Sequence, residues 1–267
     1  MAVCSKPSAP PGEVPSFQRP DRCRLHYEIH GRGEPLVLLE GLGGDIPGWR
    51  RNIPTLSAEL LVVAYDFRGN GRSDKPDERM TMQTFVDDTV GLLDHLGIGS
   101  AHFYGQSFGG MVAQELALSH SNRVRALVLA CTHAGLRTAV RVAEKVPKDR
   151  PWLALYSPEF AVEHPDHVAD DLRVGRQNPQ PPHAARRQRE AMQDFDAYDR
   201  LEDIVAPTLV LHGAADRVIH PDNARMLAER IPNARLVLLA GAGHVYHSEQ
   251  SEAADRAVLD FIKELTR

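Results

Sequence analysis

Several things are scarce in this 267-residue chain, and each scarcity closes off a class of protein. There are only three cysteines, Cys4, Cys23 and Cys131. The odd count and the lack of metal-ligand spacing argue against a disulfide scaffold or a structural zinc site, and make a reducing cytoplasm the expected compartment. Positive charge is not in excess: 31 Lys and Arg against 36 Asp and Glu leave a net charge of −5. No basic stretch suits nucleic acid or an anionic membrane surface. No apolar run approaches the roughly 18 residues of a membrane span, and "MAVCSKPSAPPGEVP" has no apolar core of signal-peptide length. Its four prolines suggest that residues 1–12 form a loose tail. Repeats at solenoid or propeller periods are absent. Hydrophobic residues still make up 42% of the chain, enough for one large core or a core with a subdomain.

What is present is an alternation. "RLHYEI" (24–29) alternates polar and apolar, as an edge or half-exposed strand does. "PLVLLE" (35–40), "LLVVAYD" (60–66), "AHFYGQ" (101–106), "RALVLACT" (125–132), "PTLVLHG" (207–213) and "ARLVLLAG" (234–241) are short, nearly continuous apolar runs. Such runs suit strands buried on both faces. Helical patterns fall between them at 81–96, 108–119, 221–230 and 249–265. Strand–helix alternation predicts an α/β fold with a doubly wound, mostly parallel sheet. The alternation breaks between 136 and 203, where charge, His and Pro mix with Trp152, Leu153, Tyr156, Phe160 and Phe195. This stretch reads as a helical cap inserted between core segments 13–135 and 204–267. It either covers the sheet only or closes over a site at the strand ends.

One stretch carries chemistry. In "AHFYGQSFGGMVAQELAL" a buried strand runs into Gly105-Gln106-Ser107-Phe108-Gly109, and a helix pattern starts at once. A serine hydroxyl is a poor nucleophile unless it is exposed, paired with an oriented base and faced by donors for the developing negative charge. A sharp strand-to-helix turn exposes it, and small residues two positions to either side make that turn possible. The five-residue pattern alone arises by chance in roughly one chain in ten of this length. Its position between strand and helix removes most of that ambiguity. The order Ser, acid, His is completed by Asp216, three residues beyond Gly213, and by His244, just past the last strand. Both fall at carboxyl ends of strands, where open α/β sheets bind ligands. His247 and His220 compete with His244, and Asp222 with Asp216. His247 sits in "YHSE", at the entry to a helix, which favours His244.

Together "LLEGLGG", "YDFRGNGRSDKP", "GQSFGG", "HGAADRVIHP" and "GAGHVYHSE" occur in one order. On these five motifs the chain resembles the α/β-hydrolase superfamily over residues 13–265. Within it the chain is most similar to small esterases, enol-lactonases of the 3-oxoadipate type and cofactor-free perhydrolases. The resemblance implies an α/β-hydrolase fold, a Ser107–His244–Asp216 triad, and an oxyanion hole formed by the backbone N–H groups of Leu42 and Phe108. It implies no metal and no organic cofactor. Two positions depart from the family pattern. Glu40-Gly41 stands where many relatives have His-Gly. Glu40 either points away and bonds backbone in neighbouring loops, or tunes the site for a particular substrate. Asn70 stands where His is common and reads as a turn residue tolerant of left-handed geometry. The side chains of Leu42 and Phe108 are expected to shape the pocket, Trp49, Trp152, Tyr156, Phe160 and Phe195 to line it, and His133 and Arg68 to add polarity at its mouth. The expected reaction is hydrolysis of a carboxylic ester or lactone of a small to medium apolar molecule, by a cytoplasmic monomer or homodimer. A perhydrolase or carbon–carbon bond hydrolase on the same triad, and a ligand-binding protein with little turnover, are the alternatives.

Overall fold

A computed structural model describes residues 15–142 and 149–266. The proline-rich start, including the expected tail at 1–12, and part of the inserted segment lie outside the described residues.

Eight strands form one sheet: β1 (Ser16–Gln18), β2 (Arg24–His30), β3 (Pro35–Leu39), β4 (Leu61–Tyr65), β5 (Ala101–Gln106), β6 (Val124–Ala130), β7 (Thr208–Gly213) and β8 (Ala234–Leu239). Their spatial order is β1-β2-β4-β3-β5-β6-β7-β8. The pairs β1–β2 and β2–β4 are antiparallel, and every other pair is parallel. The helices of the core are α1 (Ile53–Ser57), α2 (Met82–Leu96), α3 (Phe108–Ser119), and, after the inserted segment, α7 (Asp222–Arg230), α8 (Tyr246–Glu249) and α9 (Ser251–Leu265). The insertion contributes α4 (Pro158–Glu163), α5 (Pro165–Gly175) and α6 (Pro182–Gln193).

The apolar runs build two cores because alternate side chains of a strand face opposite ways. On β3, Val37 and Leu39 join one cluster with Phe85, Met111 and Leu116 of α2 and α3. Leu36 and Leu38 join the other with Leu56 of α1 and Val258 and Ile262 of α9. β5 and β7 are buried along their whole length, as continuous apolar runs imply.

Of the two readings of "RLHYEI", β2 meets the half-exposed one; it is not the edge, because the three-residue β1, too short to leave a periodic signal, pairs outside it. One strand reading needs correction. "ARLVLLAG" reads as buried on both faces, yet β8 is the opposite edge and is mostly half-exposed. The inserted segment shows α4, α5 and α6 with 3-10 turns at Pro151–Ala154 and Tyr198–Asp203, and among its described residues the only β pairing is the single bridge of Asp196 to Gly135.

Candidate active site

Ser107 stands at the seam between β5 and α3 with φ 51° and ψ −110°. A positive φ on a residue with a β-carbon is strained, and strain of this kind persists only where the surroundings over-determine it. The surroundings here are backbone. A Cβ on Gly105 would lie 2.4 Å from the Gly109 carbonyl oxygen, and one on Gly109 only 2.0 Å from the Leu39 oxygen. The start of α3 is therefore pressed against the end of β3, and only glycine fits both positions. The turn is tied further by the Ser107 N–H donating to Ala130 O (2.7 Å) and by the Thr132 hydroxyl donating to Ser107 O (2.8 Å).

Asp216 and His244 meet across the loops that follow β7 and β8. The His244 Nδ1 is 2.8 Å from Asp216 Oδ2. The loops are locked together: a Cβ on Gly213 would lie 2.1 Å from Gly243 O, and the Ala215 N–H donates to Ala242 O. Asp216 is 4% exposed. Its Oδ1 accepts from the Val218 and Ile219 N–H groups at 2.7 and 3.0 Å, and His212 Nε2 stands 3.2 Å from Oδ2. Burial alone would raise this carboxyl; His244 and His212 outweigh it and hold Asp216 well below the usual carboxylate range. The acid is thus ionised, and its partner ring carries the proton on Nδ1, leaving Nε2 free to act on a hydroxyl. The rival histidines lie elsewhere. His220 pairs with Asp222, which is exposed, and the His247 ring packs on Trp49 at 4.9 Å.

A cavity of about 530 Å³ opens on Ser107 and His244. Besides these two, it is lined by Glu40, Gly41 and Leu42 of the loop after β3, by Gln106 and Met111, and by His133. Its apolar wall is aliphatic: Leu136, Leu155 and Met192 from the insertion, and Val218 and Ile219 from the loop after β7. Gly41 lies close over the serine, since a Cβ built on it would be 3.5 Å from the Ser107 Cβ. Leu42 follows Gly41 in that loop, and Phe108, next to Ser107, opens α3, where N–H groups have no intrahelical acceptor.

Most residues expected to line the pocket do not. Trp49 is 1% exposed and packs edge-on against Tyr104 at 4.8 Å, beneath the loop after β3. Tyr156 stacks on Phe160 at 6.2 Å and donates its hydroxyl to Asp171. Phe195 belongs to the main core, and Trp152 sits on a 3-10 turn away from the cavity wall. These rings are used in packing: Trp49 within the core, Tyr156 within the insertion, and Phe195 from the insertion into the main core. Phe108 likewise turns its ring into the core, edge-on to Phe67 and Phe85, so it cannot shape the pocket. His133 does line the cavity. Burial pushes it down to about 4, and its Nδ1 accepts from the Gly135 N–H, so the neutral ring carries its proton on Nε2. Arg68 is not at the mouth; it is buried and forms a two-bond pair with Asp88 at 2.6 and 2.7 Å. Gln106 and Val245, the sequence neighbours of Ser107 and His244, line the cavity and could have been found from that adjacency.

Both departures from the family pattern acquire a physical account. Asn70 does not take left-handed geometry; Gly69 and Gly71 on either side do. Asn70 is fully buried, donates to Gly44 O (2.7 Å) and accepts from Gln180 and Gln188 of the insertion. It ties the loop after β3 to α6. Glu40 is 8% exposed and folds under its own loop, its Oε1 accepting from the Gly41 N–H at 2.8 Å. Burial, with Asp45 nearby, outweighs that bond and pushes the carboxyl up to about 7.

Cys131, His212 and Asp216 are the one group of metal-capable side chains close together among the described residues, with ligand atoms within 4.8 Å. The Asp216 oxygens are already taken by two N–H groups and by His244, and His212 Nε2 also contacts Ile219 O. The cluster reads as a hydrogen-bonded shell around the acid. No helix among the described residues is long and apolar enough to cross a membrane.

An elbow serine, a buried Asp–His pair and a cavity at the carboxyl ends of a doubly wound sheet define a hydrolase of the α/β type. The chain belongs to the alpha/beta hydrolase fold family, whose model matches residues 34–250. Among its relatives, a Caulobacter sp. (strain K31) protein that carries the name "Putative carbamate hydrolase RutD" is 31% identical, the match covering 89% of this chain and 95% of that one. A solved hydrolase from Pseudomonas aeruginosa PA01 superposes with a TM-score of 0.84 at 30% identity, covering 95% of this chain and 99% of its own. The enol-lactonase from Burkholderia xenovorans LB400 does so with a TM-score of 0.82 at 27% identity, covering 93% and 100%.

Proposed function

We propose that this hydrolase cleaves a carboxylic ester or lactone through an acyl-enzyme on Ser107. The observation that carries the reading is the strained serine, opening on the same cavity as a histidine whose Nδ1 is held by an ionised, buried aspartate. His244 Nε2 takes the proton of Ser107 Oγ as the oxygen attacks the carbonyl carbon. Asp216 fixes the ring and stabilises the imidazolium. The N–H groups of Leu42 and Phe108 receive the oxyanion, each worth roughly 10²–10³ in rate. His244 then protonates the leaving oxygen, and water repeats the sequence on the acyl-enzyme. Neutral His133 donates from Nε2 at the cavity wall and orients the substrate. The aliphatic lining suits a small or medium apolar group.

A second reading is favoured by the curated relatives' name: a carbamate carbonyl would enter the same chemistry with nitrogen beside it. The test is a comparison of short-chain aryl esters, γ- and δ-lactones and aryl carbamates, run with a fluorophosphonate probe on wild type and Ser107→Ala. Loss of both labelling and turnover in the variant supports the serine mechanism. Labelling that survives Ser107→Ala refutes it. The relative kcat/KM of the three substrate classes then decides between ester and carbamate.

A further inference from the structure

A second, smaller cavity of about 150 Å³ lies behind the loop that follows β3. It shares Glu40, Gly44 and Val245 with the cavity over Ser107, so the two abut. Asp45, Arg50, Tyr156, Asp171, His247 and Ser248 supply the rest of its polar wall, with Val174 and three glycines beside them.

Two buried polar atoms at this chamber have no hydrogen-bond partner among the described residues: Glu40 Oε2 and His247 Nδ1. Their side chains are 8% and 4% exposed. A buried polar atom left unpaired is costly, and in a folded protein it usually marks a missing partner. Glu40 Oε2 points toward Gly48, another wall of the chamber: a Cβ there would lie 2.7 Å from it. His247 is held in place by its stacking on Trp49 and by Asn52 Nδ2, which donates to its carbonyl. Burial keeps its ring neutral at ordinary pH, with a pKa of about 4, so one ring nitrogen is an acceptor.

The other groups at the chamber are already engaged. Asp171 accepts from Arg50, Arg51, the Tyr156 hydroxyl and the Ser248 hydroxyl. Arg50 is divided between Asp170 and Asp171. Asp45 accepts from Asn178 on one oxygen. What is left over is Glu40 Oε2, one oxygen of Asp45, and a neutral His247 ring with one acceptor nitrogen. The neutral His247 ring has one N–H to offer, but the carboxyls of Glu40, once ionised above about 7, and Asp45 weigh against an anion. An ammonium group brings three donors and one positive charge. At about 30 Å³ per water, the volume holds that group with two or three methylenes.

We propose that this chamber is a second subsite of the substrate cavity, taking a primary ammonium group at the end of the substrate remote from the scissile carbonyl. The subsite role rests on the hydrolase reading above, because it places the apolar middle of the substrate in the larger cavity. The binding itself does not depend on turnover.

The experiment is calorimetric titration at pH 8.5, where Glu40 is ionised, of hexylammonium chloride, 1-hexanol and ammonium chloride into wild type, Glu40→Gln and Val174→Phe, each confirmed folded by its melting transition. Glu40→Gln keeps the shape and removes the charge. Val174→Phe fills the chamber from α5. Hexylammonium is expected to bind at least about tenfold tighter than hexanol in wild type, the effect of one charged hydrogen bond. That advantage should fall toward unity in both variants, and hexylammonium should slow fluorophosphonate labelling of Ser107. Equal binding of amine and alcohol by wild type would overturn the proposal, as would an advantage that survives in both variants. Ammonium chloride binding as tightly as hexylammonium would also overturn it, by making the chamber a site for the free ion. Should Ser107 fail to label and no ester turn over, the hydrolase reading fails, while the calorimetric comparison still reports on the chamber.

Discussion

The sheet and the inserted segment hold the same cavity by different physics. On the sheet side, Ser107, Asp216 and His244 are placed by backbone pressed on backbone, at glycines where no side chain fits. On the insertion side, Phe195 and Leu201 reach the main core, and the remaining ties are polar. Arg50 and Arg51 reach Asp170 and Asp171 of α5, Gln180 and Gln188 reach Asn70, and Ser157 N–H donates to Glu249. Steric locking is insensitive to salt and tolerates no change in volume. Ion pairs near the surface are individually weak and screened. On the proposed mechanism the chemistry rests on the rigid half, and the inserted half is the one able to loosen.

The largest effect that tests this contrast is chemical. Asp216→Asn should lower kcat by roughly 10⁴-fold with little change in the fold, since an amide no longer fixes the ring tautomer or balances its cation. Steady-state kinetics beside a circular dichroism melt checks both halves of the statement. Next is the steric lock: Gly109→Ala drives a methyl against the Leu39 carbonyl and should cost at least about 3 kcal/mol in urea denaturation.

Glu40 sits on the boundary and gives a pH-dependent effect. Unfolded, its carboxyl ionises near 4.5; folded, burial holds the proton until about 7. Between those values the folded state binds the extra proton, so stability falls as pH rises and the penalty is complete above about 7. Glu40→Gln has no such penalty. Its stability relative to wild type should climb by up to about 3 kcal/mol between pH 4 and 8, measured as urea midpoints across that range. A flat difference would mean that the carboxyl ionises at the same pH folded and unfolded.

The smallest effect belongs to the polar half. Asp171→Ala removes the acceptor shared by Arg50, Arg51, Tyr156 and Ser248, and should cost about 1–3 kcal/mol. Hydrogen exchange should rise in α5 and stay unchanged in β5 and β6. Equal loss of protection in both regions would erase the distinction between the halves.

The serine turn was legible in the sequence because its requirement is local: two glycines bracket one serine where an apolar run meets a helical pattern. Asp216 and His244 were legible because each follows a buried strand closely, so the fold class alone put them on one rim. The lining was not legible. Aromatic residues drew attention by size, yet Trp49 packs within the core, Tyr156 within the insertion, and Phe195 into the main core. The cavity faces are made by Leu136, Leu155 and Met192, which carry no local mark in the chain. β1 and the edge position of β8 escaped for a related reason, since strand order is not written in any one strand.

The sequence by itself determined the alternation of elements, the sharp turn at Ser107 and the order of serine, acid and histidine, because each depends on residues near one another in the chain. Only the tertiary structure decided which loops meet. It set His244 rather than His247 against Asp216, buried Asn70 as a tie between loop and insertion, and left Glu40 and His247 each with an unanswered polar atom beside a small chamber. Those outcomes depend on burial and on contacts between distant segments, and such contacts are fixed only when the whole chain packs.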